Sequence, residues 1–386
     1  MIKKNKIILE RWQKLAGIIK EEVSPLGSPS LDSVSARVWG VESEDPELEL
    51  TGDPAEDLTT AFEAGPAGVR AFMNAQGNKD PEIKNILVRA SEEHDGSEPD
   101  DKIGISSEKP VAVGNLAPTQ QFIDLMQSVS FPLGSASVLD RAITSKTTGA
   151  PGAISISGGA VLDGHHRWSA VWAITPDGNI SAKNFNFPGD VQDKLAAAQL
   201  AVAAVNKTGI HPSKGGGAAT DIIGKGKDEI VSMIDANKGK QTDPDAPGPL
   251  LNDKMIQSIA NGDHPGINAW AEIPEDAEFV SLAQSESGFA NDPIRKAIAE
   301  KVGGNLASLN KPLPGAPEER EDMPQLDHPS IGGDAGLASI EAGLPAGEYN
   351  VHPPFQKESH TREGSLVVER WQKLAGLSEV SIVGVK

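Results

Sequence analysis

Apolar residues recur at helical spacing in several separated stretches of the chain. Ile8, Trp12, Leu15 and Ile19 fall at i, i+4, i+7 and i+11, one face of an amphipathic helix. Val367, Trp371, Leu374 and Leu377 give much the same face near the other end, and Gly17 and Gly376 weaken or end each helix. Residues 57–74 predict two short helical pieces broken at Gly65-Pro66. Residues 110–113 predict a short strand. Pro118-Thr119 is suited to open a helix that runs through 120–128 with apolar Phe122, Leu125 and Met126. Residues 139–143 predict another helical piece. Residues 153–156 and 161–162, joined across Gly158-Gly159, read as a hairpin. A helix follows over 166–174, with Trp168 and Trp172 at i, i+4, and a strong Ala-rich helix over 191–205. Shorter helices are predicted at 221–234, 255–260, 269–272 and 293–302. Residues 311–350 are rich in Pro, Gly and Glu and read as loop or linker.

These elements predict an α+β fold in five stretches. Residues 1–20 form an amphipathic terminal helix, 21–105 an acidic, partly disordered arm, and 106–206 the most densely patterned domain. Residues 207–310 form a mainly helical extension, and 311–386 a Pro/Gly-rich linker with a second terminal amphipathic helix. Composition supports compact domains joined by irregular stretches: 386 residues, 38% hydrophobic, with 40 Gly and 28 Pro. A balance of 35 Lys+Arg against 55 Asp+Glu gives a net charge of -20, which argues against coating nucleic acid or an anionic membrane. The absence of Cys excludes disulfides, thiolate metal sites and cysteine nucleophiles. No run of about 18 apolar residues is present to span a membrane. The basic, charge-interrupted first residues lack the apolar core of a secretory signal.

The octapeptide ERWQKLAG occurs twice, at 10–17 and 369–376. Each copy is a short amphipathic peptide with one Trp anchor, Trp12 or Trp371. It suits packing on its own core or docking into a partner's groove. These segments resemble short peptides near the chain ends of marine tailed-phage proteins, including capsid-targeting peptides of internal head proteins. That resemblance implies a capsid or other protein partner, and a place in the host cytoplasm or the virion.

Chemistry concentrates in Val-Leu-Asp-Gly-His-His-Arg-Trp-Ser-Ala at 161–170. A strand ending in Asp163-Gly164 runs into a helix starting near His166. Gly164 frees the backbone to turn and to approach a ligand. A helix N-terminus offers amide N–H groups and the positive end of its dipole, and Arg167 adds a permanently charged, bidentate donor. Together they make a phosphate cradle. His165 and His166 add acid–base capacity near neutrality, and Asp163 can orient a histidine or hold Mg2+.

The segment resembles the ParB/sulfiredoxin-like superfamily, in which a strand, a Gly-containing turn and an Arg at a helix start bind nucleotide phosphates. Residues 111–128, VAVGNLAPTQQFIDLMQS, resemble that family's first box. The resemblance covers about 106–206 and implies that Gly164, Arg167, Thr119 and Gln120 contact ATP, ADP or CTP. His166 matches the His of the family's His-Arg pair, and Asp163 and His165 match only the D-G-H-H-R form, whose relatives include small-molecule kinases. The chain departs from the partition proteins' G-E-R-R at this place, and His165 stands where sulfiredoxin carries its catalytic Cys, which excludes the reductase chemistry. The expected function is nucleotide binding with Mg2+ and phosphoryl transfer or nucleotide hydrolysis, with Asp163, His165 and His166 as catalytic candidates. The alternatives are a virion-associated docking protein without catalysis and a ParB-like nuclease, the acidic surface counting against the nuclease.

Overall fold

A computed structural model of the chain describes residues 46–77, 80–88, 102–120, 122–147, 152–206, 220–309, 322–327, 333–353 and 355. Both ERWQKLAG copies and the predicted terminal helices lie outside those residues.

The fold is α+β, and its centre is a mixed five-stranded sheet. β1 (Lys109–Ala112), β2 (Ala117–Pro118), β3 (Ile154–Ser157), β4 (Ala160–Asp163) and β5 (Asn179–Asn184) lie in the order β1-β5-β3-β4-β2. β3 and β4 form the antiparallel hairpin that Gly158-Gly159 predicts; both glycines have positive φ, 58° and 89°. β2 pairs with β4 in parallel, Ala117 opposite Ala160 and Pro118 opposite Val161. The β3–β4 register shifts between Ser155 and Ile156, so the bulge lies beside Asp163, which is paired with Ser155.

Helices cover both faces of the sheet, and strand alternation decides which residue faces which layer. Val161 enters one core with Ile154, Ile156, Ile180 and Ala182, while Leu162 enters the other with Phe185 and Phe187. The first core is closed by α4 (Leu125–Val129), α5 (Ala136–Ser145), α6 (His165–Ile174), α8 (Lys227–Asn237), α9 (Asp253–Ala260), α10 (Pro265–Ala271) and α11 (Pro293–Ala307). The second is built by α1 (Pro54–Glu63), α2 (Gly65–Phe72), α3 (Pro81–Leu87), α7 (Val191–Val205) and α12 (Asp334–Ala346). α7 starts at a reciprocal capping box between Asp190 and Asp193, and it is buried without a break from Leu195 to Ala204.

Three differences from the sequence reading have identifiable physical causes. α1 and α2 meet at Gly65-Pro66 as the breaker predicts. Their residues 54–72, which the sequence reading assigns to an acidic arm, carry buried Leu58, Phe62, Val69 and Phe72 into the core of Leu162. The helix predicted from Pro118 starts instead at Leu125. The Thr119 amide is held by another side chain, and Asp124 caps the helix by accepting the Gln127 N–H. Residues 311–350, read as linker, contain helix α12. Ile340 and Leu344 are fully buried on its inner face, and Gly347 ends it at φ 73°.

Candidate functional site

The Asp163–Arg167 turn sits beyond the C-terminal ends of the parallel strands β2 and β4, the position where open α/β sheets present ligand-binding loops. Gly164 is the N-cap of α6, at φ 93° and ψ 26°. A β-carbon there would stand 2.5 Å from Ile154 Cγ2 and 2.9 Å from Ile154 Cβ, so glycine is required for space as well as for backbone angle. Having no side chain, Gly164 makes no side-chain cap hydrogen bond to the first turn of α6. From Trp168 onward the helix is buried nearly all round, so its start cannot shift freely. Trp168 is 1% exposed and donates its indole N–H to the Val113 carbonyl at 3.1 Å. Trp172 donates to the Asn305 carbonyl and Ser308 Oγ. Both indoles belong to the core, their ring centres 5.7 Å apart.

His165 is buried. The Thr119 backbone N–H donates to its Nε2 at 3.1 Å, and Thr119 Oγ lies 3.2 Å from the same nitrogen while donating to the Val161 carbonyl at 2.5 Å. A backbone N–H can only donate, so Nε2 is an acceptor and the ring proton sits on Nδ1. The Asp124 N–H donates likewise to His166 Nε2 at 3.3 Å. The two histidines therefore fasten α6 to the segment that leaves β2. Gln120 is buried beside them, but its amide turns back onto the Phe122 carbonyl. Asp221 accepts the N–H groups of Ile123 and Ile223, and burial raises its pKa.

Arg167 donates through Nη1 to the Ala153 carbonyl at 3.0 Å and through Nη2 to the Asp327 carboxylate at 3.3 Å. Asp163 accepts the Gly164 N–H on Oδ1 at 2.7 Å and the Leu326 N–H on Oδ2 at 3.0 Å. Burial, and then the charge of Asp327, push the Asp163 carboxyl up to about 7, against the opposing pull of Arg167 and the two amides.

The structure thus brings Asp163, Gly164, His165, Arg167 and Thr119 together. His166 lies one position along on the Asp124 side, and Gln120 is nearby without a hydrogen bond to the turn among those described. The sequence reading misses the short segment 322–327, which crosses the turn. Met323 and Leu326 are buried in the second core, Thr119 Oγ lies 3.9 Å from Met323 Sδ, and Asp322 forms a buried ion pair with Arg70 at 2.5 Å. Its one sequence signal is a pair of apolar residues at i, i+3 between two aspartates, embedded in a stretch whose composition reads as linker.

A magnesium ion would find the carboxylate of Asp163 at the turn, with that of Asp327 across Arg167, and would draw the rest of its shell from phosphate oxygens and water. Among the described residues no group of three His, Cys, Asp or Glu side chains is arranged to hold a metal ion, and no helix is long and apolar enough to cross a membrane. Compared with protein-family models, curated proteins and solved structures, the chain matches none.

Proposed function

We propose that the chain binds the phosphates of a nucleoside di- or triphosphate at the start of α6 and catalyses phosphoryl transfer or nucleotide hydrolysis there. The observation that carries this reading is the guanidinium of Arg167 at the N-terminus of α6, beyond the parallel pair β2–β4, with a carboxylate already seated on it. The resemblance to ParB/sulfiredoxin-like domains in their D-G-H-H-R form points the same way. In this reading Arg167 and the first-turn amides of α6 hold the phosphate oxygens. Asp163 is the general base: a carboxyl with a pKa near 7 is about half ionised at neutral pH and can take the proton of an attacking water or hydroxyl. The oxygen so deprotonated attacks the terminal phosphorus in line, and the leaving group is the nucleoside diphosphate of a triphosphate substrate or the monophosphate of a diphosphate one. His165 and His166, whose Nε2 atoms accept backbone N–H groups, act as positioning residues that set the height of the α6 terminus over Thr119 and Asp124.

The test is a thermal-shift panel of ATP, ADP, CTP and GTP, each with and without Mg2+, on the native chain and on Arg167→Ala. A stabilisation of a few degrees by at least one nucleotide, lost in Arg167→Ala, is the expected result. A chain that melts cooperatively with no shift from any of them overturns the reading. In that case the second reading takes over: a phage docking protein, favoured by the octapeptide ERWQKLAG repeated near both ends.

A further inference from the structure

Resting on the phosphate-site reading, we infer that Asp327 is a built-in competitor for that site: its carboxylate occupies the place of a phosphate on Arg167, and nucleotide must displace it.

Two features of the 322–327 segment lead to this. The first is the contrast between its ends. Asp322 is held by the buried Arg70 guanidinium, its carbonyl accepts from Gln199 Nε2, and Met323 and Leu326 are packed in the second core. Asp327, by contrast, is exposed. Its side chain retains 43% of its accessible surface, and its described contact with Arg167 is a single 3.3 Å one. Such a solvent-screened, one-point ion pair is weak. A phosphate carries more charge and can engage the guanidinium fork and helix amides together, so it wins this contest. Side-chain rotation of Asp327 suffices for the exchange, and the Asp322 anchor stays in place.

The second feature is that the seat of the segment is imperfectly satisfied. Gln325 Nε2, within it, and Gln199 Oε1, beneath it, are buried polar atoms without a hydrogen-bond partner among the described residues. A buried donor or acceptor left unmade disfavours the arrangement that buries it. The segment is therefore held at Asp322, while polar atoms within it and beneath it stay unsatisfied.

The experiment is titration calorimetry with ADP and with pyrophosphate on the full chain, comparing native, Asp327→Asn, Asp327→Glu and Arg167→Ala, with Arg167→Ala also placed in the Asp327→Asn background. Asp327→Asn is expected to bind about three- to tenfold more tightly than the native chain, the range set by losing a screened ion pair and a nearby like charge. Asp327→Glu, which keeps the competing charge, is expected to stay within about twofold of native. Arg167→Ala is expected to abolish the gain in the double variant. Equal or weaker binding by Asp327→Asn, with native binding intact and dependent on Arg167, overturns the competitor role and leaves the phosphate site standing. Absence of binding by both native and Asp327→Asn chains overturns the site and the competitor together.

Discussion

Replacing Gly164 by alanine tests whether the turn is set by backbone geometry and by its close approach to β3. Two costs are separable. At φ 93° a residue with a β-carbon is strained by about 1–2 kcal/mol. The new methyl would also meet Ile154 Cγ2 at 2.5 Å and Cβ at 2.9 Å, and Ile154 is fully buried, so overpacking adds about 1–3 kcal/mol. Urea denaturation should therefore show Gly164→Ala destabilised by roughly 2–5 kcal/mol. Ile154→Ala alone removes a buried branched side chain and should cost about 2–5 kcal/mol. In the double variant Cγ2 is gone and Cβ stays, so only part of the clash is relieved. The two costs should fall short of additivity by about 1–2 kcal/mol. ADP binding should drop in Gly164→Ala, because Arg167 Nε stands 3.3 Å from the added carbon and must move with it. A loss below about 1 kcal/mol, or strict additivity in the cycle, would refute the claim that this glycine is held between a positive φ and Ile154.

Three further outcomes follow from buried charge. Arg295 is fully buried and donates to the Leu251 and Val280 carbonyls and to Asp253 and Asp292, the last also fully buried. Arg295→Met should cost about 3–5 kcal/mol by urea melt, and adding Asp292→Asn should return part of it, since the stranded charge is then gone; a loss under about 1 kcal/mol contradicts this. Folded Asp163 keeps its proton up to about pH 7, whereas its unperturbed value is 3.8, so the native state carries the extra proton between those values. Its contribution to stability should fall as pH rises from about 4 to about 7 and level off above, and Asp163→Asn should remove that slope. Carbon NMR should place the Asp163 midpoint lower in Asp327→Asn, where the repelling carboxylate is gone; an unmoved midpoint breaks the link between the two residues.

What the sequence made legible was local. The hairpin at Gly158-Gly159, the helix after Asp163-Gly164 and the helix 191–205 each follow from contiguous residues whose period or turn chemistry admits one reading. The candidate turn was legible for the same reason, since five adjacent residues carry it. Long-range spending of polar groups was not. Thr119 looks like a helix opener until its amide is seen donating to His165, 46 residues later. Asp327 meets Arg167 across 160 positions, and Asp322 meets Arg70 across 252. No spacing rule joins such pairs. Helix α12 was hidden differently: its glycines and Pro345 read as breakers, while tertiary burial of Ile340 and Leu344 overrides that weak propensity.

The placement of the turn explains how so polar a group of residues is held in register. β4 sends Val161 into one core and Leu162 into the other, and its next residue is Asp163. α6 drives Trp168 into the first core within one turn of His165, while the 322–327 segment drives Met323 and Leu326 into the second. Each polar partner at the turn is thus one to a few residues from a buried apolar anchor. The anchors of Arg167 and Asp327 belong to different cores. Rigid apolar packing fixes where each backbone starts, and the last few ångströms are left to hydrogen bonds. At the seam between the two cores, an exposed carboxylate can let go of a guanidinium without disturbing either one, which is the physical requirement of the exchange proposed for Asp327.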